Sequence, residues 1–422
     1  MPSYPPPEIW RAILRFATAP ETPRHVDYTP FEQLQEFQET AYAVQQEFSR
    51  LKTCVSLVSV SRRFRAMAAE FLYEDVRISE ARGLESLLLG LMRSAAEGGP
   101  DHYGLFVKRL ELPRRRTHIF LQPDTQPIAI PAPSNVPGLA ELLALCPNLE
   151  VFVRPCLRLD AASVAFWSTL VANPCTSTLL RLRRLEWHES DIDSRLYGTA
   201  HIARLREMVI CAPNLRYLAL SSDRTNALTD LALPASLSTV RFNCSYYHAQ
   251  PRRTSLFCRR PSYTPHLQHL VLHTTLPPTQ LDLLTTTAAL SLRVLEFAFA
   301  PQMVLSANTM RRILGRFPGL EELVYTLGAP EIAVLPPATY ASVRRVRLKL
   351  DPDEWIPSRP VLRGQVDALA GPAFPCLEQV VLHDEKRWAV KREMGREMVR
   401  RFLGRGCRVV YDDGESVMLP SA

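Results

Sequence analysis

The sequence predicts an α/β fold: a horseshoe-shaped solenoid of stacked helix–turn–strand units, preceded by a small all-α module. Three observations carry this expectation. A short motif (apolar, two residues, apolar, one residue, apolar) recurs through most of the 422-residue chain. A helical apolar stripe ending in proline precedes several copies in the same register. Near the N-terminus, two stretches of helical period stand before the first copy.

The motif runs Val107, Leu110, Leu112; Leu182, Leu185, Trp187; Leu215, Leu218, Leu220; Leu237, Val240, Phe242; and Leu267, Leu270, Leu272. It continues as Leu292, Leu295, Phe297; Leu320, Leu323, Tyr325; Val343, Val346, Leu348; and Leu377, Val380, Leu382. The copy at Leu149 is damaged, because Arg154 falls on its third apolar position. The last two apolar positions alternate with other residues, the period of a strand. Upstream, Leu139, Leu142, Leu143 and Cys146 lie at i, i+3, i+4 and i+7, followed by Pro147 and Leu149. Leu205, Met208, Val209 and Ala212 before Pro213 repeat the spacing, as do Met310, Ile313, Leu314 and Phe317 before Pro318. Each is one helix stripe, stopped where proline disfavours helix in the residue before it. Units of this kind cannot bury their apolar face alone and must stack.

At the N-terminus, Pro7 opens a predicted helix with Ile9, Ile13 and Leu14 on or beside one stripe. A second helix is predicted from Cys54 to Ile78, with Leu57, Val60 and Phe64 at spacings of three and four. The insert between them reads as a proline- and threonine-rich loop over 18–30, then a helix through Phe37, Ala41, Val44, Phe48 and Leu51. A mixed-charge helix follows Glu385 and is expected to cap the last unit.

Composition narrows the function classes. The apolar fraction of 46% and charged fraction of 22% suit a folded soluble protein. No apolar run reaches the ~18 residues of a membrane span, and the opening MPSYPPPEIW lacks the features of a secretory signal. The expected location is cytoplasmic or nuclear. The nine cysteines form no CxxC pair, so neither zinc nor a disulfide framework is expected. Cys146, Cys211 and Cys376 read as small buried apolar residues. A net charge of +7 does not make a nucleic-acid partner, although residues 245–265 interleave tyrosines with arginines. Nucleophile-elbow, phosphate-loop, dinucleotide and zinc-protease motifs are absent. We expect no catalytic residue, no cofactor and no metal, the histidines at 266, 269 and 273 included.

The repeated units resemble the leucine-rich-repeat family over residues 105–385. The usual asparagine after the third apolar residue is missing; Asp223, Thr275 and Gly328 stand there. The N-terminal stretches resemble an F-box, through Pro7, Glu8, Ile9, Ile13, Leu14 and through Val58, Ser59, Val60, Ser61, Arg62, Arg63, Phe64, Arg65. Leu72–Ile78 looks like the exit strand of fungal F-box-like proteins. The domain expectation is an F-box-like module over 1–80 with its insert at about 18–52, a leucine-rich-repeat solenoid over 81–385, and a capping helix and tail over 386–422.

The resemblance implies a substrate-recruiting adaptor of a Skp–cullin–F-box ubiquitin ligase. Pro7, Ile9, Ile13, Leu14, Leu57, Val60 and Phe64 would face the Skp-type adaptor or the small helical core beneath it. The alternative is a protein-binding scaffold whose F-box does not engage the ligase. In a stacked solenoid, residues between the apolar positions align in columns on the concave face. Arg184, Tyr217, Arg241 and His269 are therefore candidate target contacts. Arg345, Arg347 and Lys349 form a late basic patch suited to an acidic or phosphorylated segment.

Overall fold

The computed structural model describes residues 6–18, 26–31, 41–78, 81–97, 102–112, 139–154, 179–188, 200–221, 233–243, 266–272, 290–297, 313–327, 339–350, 359–383 and 392–417. Two compact units divide the chain near Ser236 and Leu237, and a short stretch starting at Tyr28 belongs to the second. The predicted loops at 113–138 and 245–265, Phe37, Met310, and Asp223, Thr275 and Gly328 lie outside the described residues.

The first unit opens with helices α1 (Pro7–Thr18), α2 (Ala41–Val60) and α3 (Arg62–Glu74). The predicted second helix is broken, which corrects the reading of one helix from Cys54. Its first half continues the insert helix as α2. At Ser61 the backbone is extended, and the Ser61 hydroxyl accepts a hydrogen bond from the Phe64 N–H, starting α3 afresh. A side-chain oxygen at this position satisfies a donor that a helix start leaves open. Strand β1 (Asp75–Arg77) follows, then α4 (Ala81–Ala96), β2 (Arg109–Glu111), α5 (Leu139–Ala144), β3 (Val151–Arg154), β4 (Arg184–His188), α6 (Ala200–Cys211) and β5 (Tyr217–Ser221). From β1 to β5 each strand pairs in parallel with the next.

The second unit carries β6 (Thr239–Asn243), β7 (His269–Leu272), β8 (Val294–Phe297), β9 (Glu322–Leu327), β10 (Arg345–Leu350), α7 (Arg359–Ala370), β11 (Gln379–His383), α8 (Arg392–Gly404) and β12 (Arg408–Tyr411). These strands too pair in parallel in chain order. The stretch expected to be only a capping helix and tail thus also supplies a strand. Beyond it the chain turns back, and Val410 bridges Ser416 antiparallel.

Each copy of the motif begins two residues before its strand, and the Val107 copy and six others begin the same way. The carbonyl three residues before the first apolar position accepts that residue's N–H: Cys146 from Leu149, Leu179 from Leu182, Ala212 from Leu215, Phe317 from Leu320, Tyr340 from Val343 and Phe374 from Leu377. All six acceptor residues are buried, so the helix stripe and the turn are one packing device. At eight strand entries two successive amides then donate to a single carbonyl of the preceding unit. Arg183 and Arg184 donate to Glu150; Arg293 and Val294 to Gln268; Arg344 and Arg345 to Glu321; Glu378 and Gln379 to Arg344.

Side-chain hydrogen bonds also link units at another position. Asn148 Nδ2 donates to the Leu105 carbonyl at 2.7 Å, Asn214 Nδ2 to the Leu180 carbonyl at 2.8 Å, and Ser236 Oγ to the Pro213 carbonyl at 2.7 Å. Each donor stands immediately before a first apolar position and reaches back one unit. Of the three cysteines expected to be buried, Cys146 is, and burial pushes its thiol up to about 12. Cys211 is half-buried, and Cys376 is exposed because it occupies that same outward position before Leu377.

Candidate functional site

Two surfaces bring the candidate residues together. The first belongs to the N-terminal helices. Leu14, Met67 and Phe71 form a small core, with Trp10, Leu57 and Phe64 packed on it. Trp10 and Phe64 meet edge to face at 5.2 Å, a favoured aromatic geometry. The seven candidates therefore divide. Leu14, Leu57 and Phe64 hold the module together, whereas Pro7, Ile9, Ile13 and Val60 are exposed. Ile9, Ile13 and Phe16 stand at i, i+4 and i+7 on one face of α1, and Phe16 is 89% exposed. On α2, Val55 and Val60 are exposed as well.

The second surface is the strand face bearing the polar columns. In the first unit it is buried, which corrects two of the target-contact expectations. Arg184 and Tyr217 are both enclosed: the guanidinium lies 4.1 Å from the Tyr217 ring centroid, and its Nη2 pairs with Glu186 Oε1 at 2.7 Å. Burial works to raise the Glu186 carboxyl, yet Arg184, then His188 and Arg109, hold it well below the usual carboxylate range. Alongside, Arg109 pairs with Glu111 at 2.9 Å and with Asp75 at 3.4 Å. These charges answer one another inside the protein. Arg154, on the damaged third apolar position, is buried with its guanidinium 4.9 Å from the Trp187 ring centroid. That contact explains how the position tolerates arginine.

In the second unit Arg241 is also buried and is not an exposed anchor. His269 and Lys349 are half-buried, as is Arg347, while Arg345 is exposed. The late basic patch is already partly neutralised. Glu322 on β9 accepts from Arg345 Nη1 at 3.1 Å and from Arg347 Nε. Arg345 Nε also donates to Gln379 Oε1 at 2.9 Å.

Over this face lies a piece of the chain itself. The Tyr28 ring stacks on His269 at 4.7 Å and 23°, and its hydroxyl donates to Glu296 Oε2 at 2.6 Å. The Phe31 N–H donates to the same oxygen at 3.3 Å. The Phe31 ring meets His383 edge to face at 4.6 Å, with Lys349 Nζ 5.7 Å from its centroid. His269 Nδ1 and the Thr239 hydroxyl are 3.0 Å apart, which orients the imidazole under Tyr28. Burial and then the Glu296 carboxylate push the Tyr28 phenol well up, so it stays protonated as a donor. Tyr28 fell in the segment read as loop over 18–30, and Phe31 just beyond it. Tyrosine and phenylalanine beside Pro30 were the available signal.

His383 provides a pH test. Burial, opposed by Asp412 and assisted by Arg347 and Lys349, brings its imidazole down to about 4 from the ordinary 6.5. The folded state therefore takes up the proton less readily than the unfolded chain. The contribution to stability is complete above about 6.5 and is lost as pH falls from there towards 4. The expected result is a His383 ring that remains neutral at pH 5.5 by carbon–proton correlation NMR. An ordinary midpoint near 6.5 would show that the enclosure by Phe31 is not formed in solution.

No helix among the described residues is long and apolar enough to cross a membrane. No family model matches the chain, and no curated protein matches its sequence. Among solved structures the chain is similar to the leucine-rich repeat-containing protein LegL7 from Legionella pneumophila, at 12% identity and a TM-score of 0.34, covering 68% of this chain and 91% of that one. It is also similar to a chain of the TLR13–ssRNA13 complex, at 13% identity and a TM-score of 0.27, covering 64% of this chain and 40% of that one. On its own strand order and repeated junctions, the chain is built of parallel-strand repeats.

Proposed function

We propose that this chain is a non-enzymatic, protein-binding repeat scaffold whose N-terminal helices dock on a Skp-type adaptor of a cullin ubiquitin ligase, so that a protein target held by the repeats is brought to the ligase. The observation that carries the reading is the apolar face of α1. Ile9, Ile13 and Phe16 lie outside the small helical core and remain exposed, at 50%, 49% and 89%. Apolar residues grouped on one exposed helix face mark an interaction site. The F-box-like motif through Pro7, Ile9 and Ile13, and through Val60 to Arg65, supports the adaptor as the partner.

The test is capture of a co-expressed Skp-type adaptor by the tagged full chain. Ile13→Asp combined with Val60→Asp places carboxylates at two exposed positions, which spares the fold and puts unpaired charge into an apolar interface. Leu57 is unsuitable, because it packs on the helical core. Capture is expected to fall at least about tenfold. No capture by the unaltered chain removes adaptor docking and leaves the scaffold alone, and undiminished capture by the folded double variant removes this face as the docking site.

A further inference from the structure

The element Tyr28-Thr29-Pro30-Phe31 makes side-chain contacts with His269 on β7, Glu296 on β8, Lys349 on β10 and His383 on β11. At roughly 4.8 Å per strand, β7 to β11 is about 19 Å of sheet. Four consecutive residues thus engage a wide stretch of strand face through two rings, one hydroxyl and one backbone N–H. Glu296 is almost fully buried, and a buried carboxylate is costly unless donors meet it. Tyr28 and Phe31 supply two donors to one of its oxygens. Phe31 holds a φ of 56°, in the left-handed region. That conformation costs a non-glycine residue about 1 kcal/mol or more, and the docked contacts offset it.

All the recognising groups belong to the repeats, and the recognised groups fit within one short linear element. A segment of another protein with the same chemistry would satisfy the same groups. We propose that the β7–β11 face is a docking surface for a protein segment of the form Tyr-x-x-Phe, and that Tyr28–Phe31 is its built-in occupant, which the target must displace. Tyrosine is required at the first position for its hydroxyl, which phenylalanine lacks. The second aromatic is required for the His383 edge and the Lys349 ammonium. This deepens the reading of the repeats as the target-binding part, and it does not depend on adaptor docking.

The test uses the full chain carrying Tyr28→Ala and Phe31→Ala, and a fluorescein-labelled synthetic peptide with the sequence of residues 24–33. A tethered occupant competes at an effective concentration on the order of millimolar. If the peptide's intrinsic dissociation constant is about 100 µM, the vacated chain should bind it about tenfold more tightly than the unaltered chain by fluorescence anisotropy. A peptide with phenylalanine in place of the tyrosine should bind the vacated chain at least about fivefold more weakly, for want of a hydrogen bond to a charged group. No binding to a vacated chain that keeps its circular dichroism, or equal binding to both chains, overturns the proposal. Should the vacated chain lose its fold, the unaltered protein decides. The labelled peptide should then bind the unaltered chain weakly and saturably by fluorescence anisotropy, with a dissociation constant on the order of millimolar, and absence of saturable binding overturns the proposal. Adaptor capture is measured on the same samples. Peptide failure with capture intact removes this inference alone, and lost capture with peptide binding removes only the adaptor reading.

Discussion

Replacing Trp187 with alanine is expected to lower the stability of the first unit by about 3–5 kcal/mol, the usual cost of emptying a buried tryptophan site. Among the described residues Trp187 is the largest fully buried side chain, and it holds the third apolar position of β4. Its loss also strips the Arg154 guanidinium of the ring it covers. Arg154 donates to the His188 carbonyl, so the charge keeps one partner and loses its apolar shelter. The expected readout is a clear fall in the urea midpoint of the circular dichroism signal. Trp187→Phe should recover most of it, by keeping a ring under the guanidinium. An alanine variant with an unchanged midpoint would mean that β4 is not packed as described.

Replacing Glu186 with leucine should cost a comparable 3–5 kcal/mol, for a different reason. The substitution leaves Arg184 buried without its carboxylate, and an uncompensated charge in the interior is far more costly than the pair was favourable. Changing both residues, Arg184→Met with Glu186→Leu, removes the two charges together and is expected to regain much of the loss. The regain will be partial, because His188 and Arg109 also act on Glu186. A double variant no better than the single one would show that these side chains do not answer each other. The same pairing sets a pH window. The depressed Glu186 carboxyl contributes stability at neutral pH that is lost as pH falls through and below the ordinary carboxylate range.

The strands were legible because their core-facing residues obey a strict spacing. Leu185 with Trp187, Leu270 with Leu272 and Val346 with Leu348 need only local period to be recognised. The other strand face was misjudged for a physical reason. Alternation shows that Arg184, Tyr217 and Arg241 point away from the first core, but it does not show whether something else covers them. A column of Arg and Glu reads as solvated charge, yet Arg184 meets Glu186 two residues along its own strand and Tyr217 on the next strand, and so becomes interior. The N-terminal stripe was similarly ambiguous. Leu14 and Ile13 are adjacent in sequence and one period apart in neither direction, and only packing sends one inward and the other outward. Ser61 could have been read as a helix start, but the unbroken apolar spacing from Leu57 to Phe64 hid it. Tyr28 and Phe31 carry no periodic signal, since a linear element docked on a sheet has its order imposed by the surface beneath it.

The paired amides at these strand entries have a consequence for how such a chain can change over time. Successive first positions are separated by as few as 22 residues, Leu215 to Leu237, and as many as 42, Val107 to Leu149. Alignment of each strand with its neighbour is nevertheless set within a few residues of Leu149, Leu182 or Leu292, where the chain grips the carbonyl behind it. Whatever lies between two grips is excused from determining alignment. Segments can be lengthened, shortened or exchanged there without shifting a single cross-strand partner, because loop closure becomes costlier only slowly with length. The architecture therefore separates a part of the sequence that must be kept from a part that is open to novelty, and new recognition elements can be acquired without rebuilding the frame that displays them.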